Sequence, residues 1–188
     1  MKTAALQKMS ASALLIAIGI IIPMFSPVKF ILEPASFTLA SHVAVFIALM
    51  ISPSVAVAVA IGTTLGFLLG GFPVVVVLRA ASHIVFAVLG SLFLQRFPRT
   101  LESPIRTREF SLAVGLLHAV CELVIVSIFY MAGGMGDAYY QQGFLRTVIL
   151  LVGIGSVVHS MVDFELALAV VKVLGKQRSF AALTNRAA

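Results

Sequence analysis

From Thr38 to Leu78 the sequence contains a single ionisable side chain, His42. A soluble domain cannot be built that way, because about a quarter of its residues are charged and keep its surface wet. Of all 188 residues, 61% are hydrophobic and 11% charged, so the solvent around most of the chain is lipid. The expected fold class is an all-α membrane protein, one transmembrane domain over residues 1–188.

A helix that crosses the hydrocarbon needs roughly 20 apolar residues, fewer where the bilayer thins. Pro and Gly clusters divide the chain into about six such segments: residues 5–25, 38–51, 54–69, 74–94, 110–132 and 144–174. Residues 26–37, with Lys29, Glu33 and Pro34, are too polar and proline-rich to cross. Ser52-Pro53, Gly70-Gly71-Phe72-Pro73 and Gly133-Gly134-Met135-Gly136-Asp137 mark the other turns. With six crossings, both tails and the loop after segment four share one side. That side carries Lys2, Lys8, Arg96, Arg99, Arg106, Arg108, Lys172, Lys176, Arg178 and Arg186, against Lys29 and Arg146 opposite. Basic residues favour the cytoplasmic face, so both termini are expected there.

The net charge of +6 does not mark a nucleic-acid binder, because the basic residues sit where a topology signal needs them. One cysteine, Cys121, excludes an internal disulfide and argues against a thiolate metal cluster. No P-loop motif is present, so the chain does not hydrolyse ATP by that route. Nor is there an internal repeat of the kind that builds inverted-repeat carriers.

Ionisable groups within spans cost several kcal/mol unless paired, which makes each of them a candidate site. Arg79 and His83 lie one turn apart in segment four, His118 and Glu122 in segment five, and His159 and Asp163 in segment six. Residues at i and i+4 share a helix face, so each helix presents a polar stripe. At a rise of about 1.5 Å per residue, Arg79 lies about 8 Å and His83 about 14 Å below the outer boundary. Glu122 and His118, on a helix running the other way, lie about 12 Å and 18 Å below it. The matching depths predict an Arg79–Glu122 ion pair with histidines beneath it. Such a pair is also what ordinary helix-to-helix glue looks like.

The functional reading is a polar pocket opening outward, lined by Arg79, His83, His118, Glu122 and His159, with Phe37, Phe129, Tyr130, Tyr139 and Tyr140 at the outer level as aromatic wall or lid. His42 starts segment two on the same outer side, where it is expected at the interface and counted among the substrate-binding residues, and Asp163 and Glu165 are expected near water at the inner end of segment six. The four histidines fall on four different helices and form no local ligand motif, so no metal site is expected. In segment one, Ala13 and Ala17 place two small residues one turn apart, a face that lets another helix approach closely.

This ensemble resembles the substrate-binding S component of energy-coupling factor (ECF) transporters, prokaryotic vitamin importers. The resemblance rests on the Ala13-xxx-Ala17 face, the proline-containing first outer loop and two stretches. These are Pro34-Ala35-Ser36-Phe37-Thr38-Leu39-Ala40-Ser41-His42-Val43 and Gly71-Phe72-Pro73 through Leu78-Arg79-Ala80-Ala81-Ser82-His83. It covers nearly the whole chain and points to the niacin-type branch. It implies a multi-pass plasma-membrane subunit without ATPase activity or a cofactor, which captures a water-soluble vitamin. It implies docking through Ala13 and Ala17 onto a membrane coupling protein served by two cytoplasmic ATPases, and a lid over Ser26–Phe37. For nicotinate, Arg79 is the natural charge partner, although Glu122 already neutralises it. Cobalamin, pantothenate, pyridoxine or a thiazole precursor are the alternatives. Outside that family, His118–Glu122 or His159–Asp163 would suit an intramembrane acid–base enzyme, and Glu122 or Asp163 a proton-coupled carrier.

Overall fold

The computed structural model describes residues 2–32, 35–177, 180, 183 and 184. Glu33, Pro34, Arg178 and Arg186 lie outside the described residues. In chain order the elements are α1 (Lys2–Phe25), β1 (Lys29–Leu32), β2 (Ala35–Thr38), α2 (Val43–Ile51), α3 (Pro53–Leu69) and α4 (Val74–Arg96). A 3₁₀ turn (Pro98–Glu102) leads to α5 (Pro104–Met131) and the short α6 (Asp137–Gln141). A π-helical stretch (Leu145–Ile154) then runs into α7 (Gly155–Leu174).

Among the described residues, four helical stretches are long and apolar enough to cross a membrane: Ala4–Phe25, Val74–Arg96, Pro104–Met131 and Leu145–Leu174. Each is built inside out relative to a soluble helix. On α5 the stripe Leu112, Leu116, Val120, Val124 and Ile128 is exposed. The opposite stripe, Ser111, Gly115, His118, Glu122 and Val126, is buried. Both follow the four- and three-residue spacing of one helix face, and the polar face turns inward because lipid favours the apolar one.

The helical membrane fold holds, with three local departures from the sequence expectation. Segment two does not begin at Thr38. Residues 35–38 instead pair antiparallel with 29–32, in the register Lys29↔Thr38 to Leu32↔Ala35. The helix that follows has 9 residues, about 13 Å of rise, less than half a bilayer core. All nine of its residues are buried, and it lies against α1, α3, α4 and α7 as the centre of the bundle. Ser52 then turns the chain: its backbone is extended, its Oγ accepts from Val55 N at 3.4 Å, and Pro53 fills the first turn of α3.

The second departure is α5, which starts at Pro104 behind Ser103, so Arg106, Arg108 and Glu109 are helical rather than loop. The third is segment six, whose first half is π-helical up to Ile154. The wider turn ends at Gly155, and from there Ser156, Ser160, Asp163 and Ala167 form the buried face of α7. Local π-helix inside a longer helix is frequent at functional sites.

α1 turns Ser12, Leu15 and Gly19 toward the bundle. Ile16 and Ile20 fill the space over Gly62 and Gly66 of α3, where a Cβ would collide with them. Ala13 and Ala17 lie exposed on the far side of α1.

Candidate functional site

The inward polar stripes meet around a cavity of about 340 Å³ beside the start of α2. Arg79 and His83 reach it from α4, Glu122 from α5, His159 from α7, and Phe37, Ser41 and His42 from β2 and the segment joining it to α2. The depth match made from sequence is realised as a two-pronged ion pair. Arg79 Nε donates to Glu122 Oε1 at 2.9 Å and Nη2 to Oε2 at 3.0 Å. Ser156 Oγ also donates to Glu122 Oε2. The carboxylate side chain is 3% exposed and the guanidinium 19%, both residues line the cavity, and the guanidinium's Nη1 lies outside the fork. Fork-to-carboxylate pairing fixes the plane of the guanidinium as well as its charge.

A second carboxylate holds the histidines. Asp163 Oδ1 accepts from Ala40 N at 2.7 Å, and Oδ2 accepts from His42 N at 2.9 Å and from His42 Nδ1 at 3.1 Å. The helix-capping work at α2 thus comes from a residue far along the chain, because His42 makes no side-chain cap of its own. Ala40 sits at φ 68°, a left-handed conformation that needs an outside constraint. Asp163 is fully buried, not at a watery helix end as expected; Glu165 is exposed. His42 likewise is not interfacial. Its ring centre lies 4.7 Å from His83, 4.7 Å from His118 and 4.9 Å from His159.

His159 Nε2 is 3.1 Å from Ser41 Oγ, and its ring lies 5.5 Å from that of Phe37. His118 is fully buried under the cavity floor rather than on its wall. Its Nε2 stands 3.4 Å from Glu122 Oε1, without the alignment of a hydrogen bond. Tyr130 does not join the site: it packs against Tyr140 and Phe144, and its carbonyl accepts from the Tyr140 hydroxyl. The aromatic wall beyond Phe37 is made instead by Phe67, Phe72 and Tyr139. Tyr139 is one of the aromatics expected at the outer level, whereas sequence reasoning missed Phe67 and Phe72 as wall residues because a Phe in an apolar span carries no signal of its own. Thr63 and Ser156, also missed, are small hydroxyls of the kind spans carry everywhere.

Gly155 keeps Phe37 in place, since a Cβ there would stand 2.6 Å from Phe37 Cζ. Gly155→Ala therefore pushes the ring out of the cavity wall. It is expected to weaken binding of the cavity's solute about tenfold, read by equilibrium titration, with thermal stability nearly unchanged.

A lipid-facing helical bundle that encloses a small cavity with one presented cation, imidazoles and aromatic walls defines a solute-binding, multi-pass membrane protein. Over 176 residues, covering 93% of this chain and 78% of the relative, it is 41% identical to the niacin transporter NiaX of Lactococcus lactis subsp. cremoris (strain MG1363). The chain belongs to that transporter family, the niacin-type branch of the ECF S components that its sequence resembles. It is a transport subunit of the cell membrane and not an enzyme. No family model matches the chain, and no solved structure matches it.

Proposed function

We propose that the chain captures niacin from the outer side of the plasma membrane and delivers it through an ECF-type importer. The observation that carries this reading is the likeness, along nearly the whole chain, to a protein named as a niacin transporter. The cavity's chemistry supports it. A volume of about 340 Å³ is at the small end for ligand pockets and suits a single small heterocycle. Phe37, Phe67 and Phe72 offer faces for a pyridine ring, and Arg79 Nη1 offers a charge-assisted donor to a carboxylate. Glu122 and Ser156 fix the guanidinium, so the vitamin shares a preset cation instead of ordering a flexible one.

Six crossings with both termini cytoplasmic belong to the same reading. α2 and α3 together form the short central part of the bundle, and the basic residues collect on one side. So does a membrane coupling protein docked on the exposed Ala13–Ala17 face of α1, with two cytoplasmic ATPases supplying energy.

The test is equilibrium binding of the purified chain, without ATP or partners, to nicotinate, nicotinamide and a panel of other B vitamins. Tight binding of niacin supports the reading. Binding of another vitamin in its place, or of none by a folded chain, overturns it. In cells supplied with the coupling module, Ala13→Trp together with Ala17→Trp is expected to abolish uptake. Because that face is remote from the cavity, vitamin affinity stays within about twofold.

A further inference from the structure

One side-chain nitrogen from each of His42, His83 and His118 lies within 4.8 Å of the other two. The three residues are buried and come from the start of α2, from α4 and from α5, so no local spacing announces them. Among the described residues, His83 Nε2 and both ring nitrogens of His118 have no hydrogen-bond partner. Buried polar atoms are nearly always satisfied, and three orphans in one cluster call for an occupant. A solute in the cavity does not serve both nitrogens of His118, which is fully buried and off the cavity wall. A small occupant among the rings serves the one that faces its neighbours.

The surroundings favour a cation over a water molecule. His42 gives its Nδ1 to Asp163 at 3.1 Å, which leaves Nε2 as a fixed lone pair directed away from that carboxylate. That carboxylate–histidine arrangement is the usual support behind a metal-bound imidazole. Glu122 Oε1 stands 3.4 Å from His118 Nε2 and adds negative charge beside the rings without a hydrogen bond to them. Counting Arg79, Glu122 and Asp163 as ionised, the floor carries one net negative charge, which a dication turns into one net positive charge. A second grouping, His42, His159 and Asp163, has the same spacing but is already consumed: the Asp163 carboxylate takes two backbone N–H groups and the His42 ring.

We propose that His42, His83 and His118 form a divalent transition-metal site in the cavity floor, of the three-histidine type that suits Zn²⁺. Three imidazoles at about 2.0–2.1 Å in tetrahedral geometry stand about 3.4 Å apart, which modest ring rotation achieves from the present spacing. His42 and His83 line the cavity, so the fourth position faces it and takes a water or a donor atom of the bound solute. The metal site stands independently of the niacin reading.

The probe is Co²⁺, titrated into the tag-free, chelator-stripped full-length chain in detergent with no vitamin present. One equivalent is expected to bind with the visible absorption of tetrahedral Co²⁺ and to be displaced by Zn²⁺. His83→Gln and His118→Gln, each checked for a folded, monodisperse state, are expected to lose Co²⁺ affinity at least tenfold, while Cys121→Ser keeps it. X-ray absorption at the Zn edge of the wild type counts the ligands without any variant. Three imidazoles support the site; fewer, or no binding by folded wild type at millimolar metal, or unchanged affinity in a folded histidine variant, overturn it.

Discussion

Arg79→Ala is expected to reduce nicotinate affinity about 100-fold, the value of one charge-assisted hydrogen bond in a desolvated pocket. The same change strands Glu122, which is nearly inaccessible and otherwise shares its oxygens with Ser156 and the guanidinium. Breaking one side of a buried ion pair costs about 3–5 kcal/mol, so a loss of thermal stability accompanies the loss of binding. The two effects separate in the double variant. Adding Glu122→Gln removes the stranded charge and restores most of the stability, but no cation returns to the cavity and binding stays weak. Arg79→Lys keeps the charge and loses the fork, so it is expected to bind in between. Equilibrium titration beside thermal-shift measurement on wild type and these three variants decides the matter. If nicotinate still binds tightly to the stabilised double variant, the guanidinium is scaffold only, and the vitamin is held through the imidazoles and aromatic faces.

The Arg79–Glu122 pair is legible in the sequence because both ends of the reasoning are local. Each helix carries its ionisable residues at i and i+4, and a fixed rise per residue converts position into depth. Antiparallel helices with opposite charges at equal depth have little choice but to pair. The same logic places His83 beside His118, whose ring centres are 4.9 Å apart. It fails wherever a position depends on contacts without a periodic signature. Asp163 is expected near water because helix ends read from hydropathy say nothing about a loop folding back from Ala40 to meet the carboxylate. His42 is expected at the interface because the strand pair that pulls residues 35–38 away from the helix is a tertiary event. The convergence of four histidines around one point escapes with those two residues, since His42 is the ring that touches the other three.

Asp163, His159 and Gly155 share a physical role that the sequence conceals: they fix the short segment leading into α2 on which Phe37, Ser41 and His42 ride. Helix stripes give the site its cation and its carboxylates, on rigid elements. The wall facing them is a non-helical connection held by side chains of α7. Sequence periodicity reports the first kind of contribution and is silent on the second.

That division makes Asp163 the most consequential residue outside direct contact with a solute. Asp163→Ala removes the acceptor for Ala40 N and His42 N and releases the His42 ring. Each buried donor left unsatisfied costs about 1–3 kcal/mol, so the expected loss is about 4 kcal/mol. Binding should fall with it, because Ser41 and His42 leave the cavity wall. Asp163→Asn keeps one carbonyl oxygen and is expected to lose about half as much. Ala40→Gly provides the independent check. At φ 68° a left-handed backbone costs alanine about 1–2 kcal/mol, a strain that glycine relieves while giving part of it back as unfolded-state entropy. Ala40→Gly is therefore expected to stabilise the protein by about 0.5–1 kcal/mol and to offset part of the Asp163→Asn loss. Thermal unfolding of the single and double variants in detergent measures the coupling. If Asp163→Ala unfolds at the wild-type temperature, the carboxylate does not hold the connection, and the placement of His42 needs another cause.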